Sequence, residues 1–329
     1  MTDRAPRPPM IIVMGLPRSG TTWLGKIFDS HPATYYAHEP DSARPMRDIP
    51  LLIDLQELDG LKERLVSVVE ALRDLRTIRV VGKLPLFPKS FTSALPFWWR
   101  SQAMFFYKSL SRAFGDLTLP RHVCGDADRA SAWVWKSIES TGRLGAIARA
   151  FPRSKVVFIV RHPCAVAASL FKGQQSMKFS AGPASEDYGF FALLSETAVA
   201  RSRGLTLDRF HAMSPVERVA WRWALLNEKT LADVSGLPNC TVLRYEDLCE
   251  RPAEVSRAMF DFAGLPWDQQ TERFVLSSTT RDDHSYYGVF KDPRQSANKW
   301  KEELTRDVTA QILQVVADTS AGRLYLEMT

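Results

Sequence analysis

Arg18, Glu39, Lys136 and Arg161 are far apart in the chain, yet each stands at or just beyond the end of a short apolar run. Together they could bind and transfer an oxyanion group. Arg18 belongs to Gly15-Leu16-Pro17-Arg18-Ser19-Gly20-Thr21-Thr22-Trp23, directly after Met10-Ile11-Ile12-Val13-Met14. A glycine turn between a strand and a helix aims unpaired N–H groups and the positive end of a helix dipole at one point, which suits a phosphate or sulfate. The Gly15 to Gly20 spacing is that of a nucleotide-phosphate loop, but Thr21 stands where such a loop has its lysine, which weakens an ATP reading. Glu39 is a carboxylate suited to general-base attack on a hydroxyl proton, with His38 beside it as the second choice. Lys136 offers an ammonium to an oxygen that gains charge as its bond breaks. Arg161 suits bidentate contact with a phosphate, at a position where a Mg²⁺-dependent phosphoryl transferase would carry an aspartate.

The elements that must position these groups are read from periodicity. Met10 to Met14, Tyr35-Tyr36-Ala37, Ala132 to Trp135, Lys155 to Val160 and Cys240 to Arg244 read as strands. Thr21 to Phe28 reads as a helix that stops at His31-Pro32, and Glu39-Pro40 is expected to hold the chain extended as it leaves the second strand. Pro163 opens a helix that carries Ser169 about two turns beyond Arg161. Gly60 to Arg76 reads as an amphipathic helix, Ile78-Arg79-Val80-Val81 as a further strand, and Pro252 to Ala263 as a helix closed by Gly264 and capped by Glu246-Asp247. Strands alternating with helices predict a three-layer α/β/α fold with a mostly parallel central sheet and a ligand across the strand ends.

One domain over 1–329 is expected, with helical acceptor-binding insertions at about 45–130 and 172–235. Trp221, Trp223, Leu225 and Leu226 read as core, and 172–205 as a polar loop over the acceptor. Residues 87–114 combine Phe97, Trp98, Trp99, Phe105 and Phe106 with Arg100, Lys108 and Arg112. Such a segment is a core helix against the sheet, an acceptor pocket wall or a peripheral membrane contact, and the core helix is the favoured reading.

The net charge of +6 suits a polyanionic small ligand, and no basic run resembles a nucleic-acid-binding tail. Cys124, Cys164, Cys240 and Cys249 form no C-x-x-C pair, which fits reduced thiols in the cytoplasm. The six histidines lack ligand spacing, so no metal is expected. No apolar stretch reaches the roughly 18 residues of a spanning helix, and none reads as a secretory signal.

The Pro17 to Trp23 loop resembles the 5′-phosphosulfate loop of the sulfotransferases that use 3′-phosphoadenosine 5′-phosphosulfate (PAPS), in the style of their tyrosylprotein and carbohydrate branches. Arg161-x-Pro163 followed by Ser169 is similar to that family's 3′-phosphate site, and Arg244-Tyr245-Glu246-Asp247-Leu248 resembles another of its elements. The resemblance implies a PAPS-binding fold in which Pro17, Arg18, Ser19, Gly20, Thr21, Thr22 and Trp23 hold the phosphosulfate. It implies that Arg161 and Ser169 hold the 3′-phosphate and that Tyr245 contacts the adenine. Arg294, Ser296 and Lys299 would belong to a polar loop closing over the 3′-phosphate. Arg18, Glu39 and Lys136 are the implied catalytic residues, with Glu39 as base and Lys136 at the bridging oxygen. The acceptor would be a carbohydrate, glycolipid or other hydroxyl compound, and the by-product adenosine 3′,5′-bisphosphate (PAP). Two rivals remain: an ATP-dependent kinase with Mg²⁺ at Glu246-Asp247, and a non-catalytic nucleotide-binding protein with Glu39 idle.

Overall fold

Each of the five apolar runs ends in a polar residue or a glycine, and each forms a strand. The computed structural model describes residues 7–92, 96–175, 182–280 and 293–326. The strands are β1 (Met10–Met14), β2 (Thr34–His38), β3 (Ala132–Ser137), β4 (Lys155–Val160) and β5 (Cys240–Arg244). They make one sheet in the order β2-β3-β1-β4-β5, and every neighbouring pair is parallel. Parallel strands covered by helices are apolar on both faces, which is why these runs do not alternate with polar residues. Met10, Ile12 and Met14 of β1 enter one core, Ile11 and Val13 the other.

One layer contains α1 (Thr21–Ser30) with the helices Pro252–Ala263 and Gln269–Thr280. The opposite layer contains the helices Leu58–Leu72, Leu144–Ala150 and Pro215–Val234. Trp223, Leu225 and Leu226 are buried there as expected, and Trp221 is half-buried.

Parallel register decides where the strand ends lie. His38 pairs with Lys136, Met14 with both Ser137 and Phe158, and Val160 with Arg244. The carboxyl ends of all five strands therefore share one edge, from which Gly15, Glu39, Arg161 and Tyr245 depart.

Several local expectations are corrected. Ile78–Val81 is a short helix, because the Val80 and Val81 N–H groups both donate to the Thr77 carbonyl at 3.0 Å and close a turn. Within 172–205 the described part is helical, with Tyr188–Ser195 and Ala198–Ser202 capped by the Asp187 and Thr197 side chains and anchored by Phe191, Leu194 and Ala200. Residues 176–181 of that segment lie outside the described residues. Residues 87–114 do not supply a core helix: Phe97–Phe114 buries only Arg100 and Met104, because Trp98, Trp99, Phe105 and Phe106 occupy the opposite face and only Tyr107 of its rings packs beside Met104. The expected C-terminal loop is the helix Pro293–Asn298 followed by Trp300–Glu303, and Lys291 and Asp292 lie outside the described residues. Glu246 and Asp247 belong to a helix of their own, Tyr245–Glu250.

Candidate active site

The turn after β1 is shaped by close backbone approach. A Cβ on Gly15 would lie 2.3 Å from the Ile159 carbonyl oxygen, so only glycine lets the turn press against β4. Gly20 caps α1 in the left-handed region at φ 88°, and a Cβ there would meet the Tyr245 ring at 2.3 Å. No side chain caps α1, and the buried Ser19 Oγ has no hydrogen-bond partner among the described residues. Uncapped N–H groups beside an orphaned hydroxyl form a cradle for anionic oxygens.

Two non-glycine residues among those described have positive φ: Arg18 at 72° and Glu39 at 48°. Backbone strain of this kind costs about 1–3 kcal/mol per residue and gathers where function demands it. At Arg18 it turns the side chain toward the helix Pro163–Gln175, where Nε donates to Ser169 Oγ at 2.8 Å.

Arg161 joins three segments. Its Nη1 donates to the Arg18 carbonyl at 2.8 Å, its Nη2 donates to the Ser296 carbonyl at 2.6 Å, and its guanidinium lies 4.5 Å over the Tyr245 ring. Its Nε is buried with no partner among the described residues. Tyr245 is buried under Gly20, meets Trp23 edge-on and carries Arg161 on its face, an arrangement that props the turn from beneath. Trp23 is itself fixed by its Nε1 donating to Ser278 Oγ at 3.0 Å. Thr21 is buried and Thr22 and Pro17 are half-buried along the same turn. The structure thus brings Arg18, Arg161, Ser169, Tyr245 and Ser296 together, Ser296 through its main chain. Arg294 and Lys299 are exposed on the Pro293–Asn298 helix and just beyond it, and Lys299 lies 3.9 Å from Glu303.

Across the edge, Glu39 meets Lys136. The Glu39 N–H donates to the Lys136 carbonyl at 2.8 Å, and the buried Lys136 ammonium bonds the Glu39 carboxylate. Glu39 is left-handed rather than extended, which corrects the sequence reading. That hydrogen bond extends the β2–β3 ladder to residue 39, and the chain must then turn at once into the helix Pro40–Ala43. Burial lowers the Lys136 pKa below the usual lysine range, and Glu39 restores part of the loss. His38 is a poor alternative base. Burial, then the nearby Lys136 and Lys83 charges, push its pKa far below the usual histidine value, and its Nδ1 is engaged with the Tyr36 hydroxyl at 2.9 Å.

Sequence reasoning missed Asp41. This buried carboxylate accepts from Ser140 Oγ at 2.6 Å, from Ser137 Oγ and from Trp135 Nε1 at 3.3 Å, so it clamps the end of β3 that carries Lys136. The spacing Ser137-x-x-Ser140 was the available signal, but its partner lies 96 positions away in the chain. The Glu246-Asp247 pair is engaged with the protein itself: Glu246 accepts the His162 N–H at 3.0 Å and Asp247 lies 3.8 Å from Arg244.

A model of the sulfotransferase family matches residues 9–269. Human carbohydrate sulfotransferase 2 is 27% identical over 163 residues, covering 46% of this chain and 31% of that protein. Mouse carbohydrate sulfotransferase 3 is 36% identical over 62 residues, covering 18% of this chain and 13% of that protein. The matched stretches thus span less than a third of these relatives' lengths. Among solved structures, the sulfotransferase domain from the Synechococcus PCC 7002 olefin synthase aligns over 96% of both chains at 17% identity and a TM-score of 0.45.

Proposed function

The chain belongs to the sulfotransferase family, and we propose that it moves the sulfuryl group of PAPS to an acceptor hydroxyl, releasing PAP. The observation that carries this reading is the 2.8 Å bond from Arg161 to the Arg18 carbonyl, which joins the two segments that bind oxyanions in this proposal. The orphaned Ser19 Oγ and Arg161 Nε and the glycine cradle suit a ligand with two anionic ends.

In this mechanism Arg18, Ser19, Gly20, Thr21 and Thr22 hold the 5′-phosphosulfate, and Arg161 and Ser169 hold the 3′-phosphate. PAPS supplies an activated sulfuryl group. Lys136 fixes the direction of the Glu39 carboxylate, which takes the acceptor proton as the oxygen attacks in line with the departing phosphate oxygen. The buried Lys136 ammonium lies at the same strand edge to meet negative charge developing there. The Tyr245 ring is taken up by Gly20, Arg161 and Trp23, so in this reading Tyr245 and Trp23 position the turn in place of the adenine and phosphosulfate contacts that the resemblance implies for them.

The parts of 45–130 and 172–235 outside the core-layer helices Leu58–Leu72 and Pro215–Val234 supply the acceptor surface in this reading, and the carbohydrate sulfotransferase matches favour a glycan or glycolipid hydroxyl. Binding of the donor needs no metal, because Arg161 replaces the metal-holding carboxylate of the kinase reading. The four free cysteines fit a reducing compartment such as the cytoplasm.

Calorimetry with PAP in the presence of a chelator tests the reading. Binding is expected without metal, together with transfer of labelled sulfate from PAPS to a hydroxyl acceptor. Absence of PAP binding, or a requirement for Mg²⁺ and ATP, would overturn it.

A further inference from the structure

The Phe97–Phe114 helix faces its apolar side outward. Arg100 points inward, where Nε and Nη2 donate to the Val123 carbonyl at 3.1 and 3.0 Å, and Met104 packs beside it. Trp98, Trp99, Phe105 and Phe106 are 58%, 59%, 45% and 62% exposed. At about 100° per residue these four rings fall within one outward arc of roughly 120°. Arg112 and the half-buried Lys108 lie along one edge of that arc, and the helix contains no acidic residue.

We propose that this face lies flat on an anionic bilayer, and that the acceptor is a hydroxyl-bearing amphiphile presented there. An outward aromatic stripe with cations along one edge buries its rings at the headgroup boundary while the basic groups meet lipid phosphates. Charge complementarity favours this occupant over a second copy of the chain, since the same face on a partner would bring further cations and no carboxylate of this helix to meet Lys108 and Arg112. No described helix is long and apolar enough to cross a membrane, so the contact is peripheral.

The docked face borders the acceptor side of the site. The helix packs on Ile78–Val81, which packs on β2, the strand that ends beside Glu39. Lys83, just beyond that turn, is within the electrostatic reach of both Glu39 and Lys108. The docking itself stands on the helix alone, whereas the acceptor class rests on the sulfuryl-transfer reading.

The full chain is sedimented with vesicles of phosphatidylglycerol mixed into phosphatidylcholine and, in parallel, with phosphatidylcholine alone. Binding to the anionic vesicles that weakens with salt is expected. W98A/F106A should lower the bound fraction by at least about tenfold, and K108E/R112E by a similar factor, with PAP affinity unchanged in both. Failure to bind anionic vesicles, equal binding by the variants, or a wild-type dimer that W98A/F106A dissociates would each overturn the docking. Labelled PAPS then tests the acceptor: label in the organic-extractable lipid is expected, and label confined to water-soluble acceptors overturns that part alone. Loss of PAP binding by the wild type would instead refute the sulfuryl-transfer reading and leave the vesicle result standing.

Discussion

Lys136 and Glu39 are joined twice, once through the backbone from the Glu39 N–H to the Lys136 carbonyl and once through ammonium and carboxylate. The first bond fixes where the glutamate side chain begins, and the second fixes where it ends. Glu39→Gln keeps the length and the hydrogen-bonding shape but removes the proton acceptor. Turnover is expected to fall by about 10²–10⁴-fold, with PAP affinity retained by calorimetry. Unchanged kcat would remove Glu39 from the mechanism.

Arg161 satisfies two carbonyls with a planar fork that a lysine lacks. Arg161→Lys keeps the charge and loses one of the two contacts, so the Kd for PAP should rise by roughly 10–100-fold. Ser169→Ala, which removes the acceptor of the Arg18 Nε bond, should weaken PAP binding by a smaller factor of about 5–10. Equal affinity in wild type and Arg161→Lys would separate this guanidinium from the ligand.

Gly20→Ala combines a positive φ with a clash against the Tyr245 ring. The change is expected to lower stability by about 1–3 kcal/mol, read from the urea midpoint, and to weaken PAP binding together with it. A variant as stable as wild type and still competent for PAP would show that the turn relaxes without cost.

Lys26 is fully buried in α1, bonded to Asp29, with the Lys83 carbonyl accepting at 3.0 Å, and Lys89 pairs with the same Asp29 at 2.9 Å. Burial, offset in part by Asp29, lowers its pKa to about 8 from the ordinary 10.5. Between those two values the unfolded chain binds more protons than the folded one, so stability is expected to increase as pH rises through this window. The slope from this group is at most about 1.4 kcal/mol per pH unit. Urea midpoints across that window should rise for wild type relative to Lys26→Met. Parallel pH profiles of the two proteins would rule the assignment out.

The sheet and its carboxyl edge were legible because β1 and β4 are continuous apolar runs, β2, β3 and β5 have apolar centres, and each stops where a polar residue or a glycine begins the next turn. Glu39, Lys136 and Arg161 could be placed from those stops alone. The Ile78–Val81 turn was misread because four residues of which three are β-branched look alike as a strand or as a single helical turn. The outward aromatic face of Phe97–Phe114 was misread because composition carries no direction. The bonds from Arg18 to Ser169 and from Asp41 to Ser137 and Ser140 connect residues distant in the chain, and no local pattern announces them.

The helix Pro293–Asn298 holds Arg161 through the main-chain oxygen of Ser296. A peptide oxygen is common to every amino acid, so that grip is indifferent to the side chain at this position. Replacements on the exposed face of that helix therefore leave this hold on the guanidinium in place.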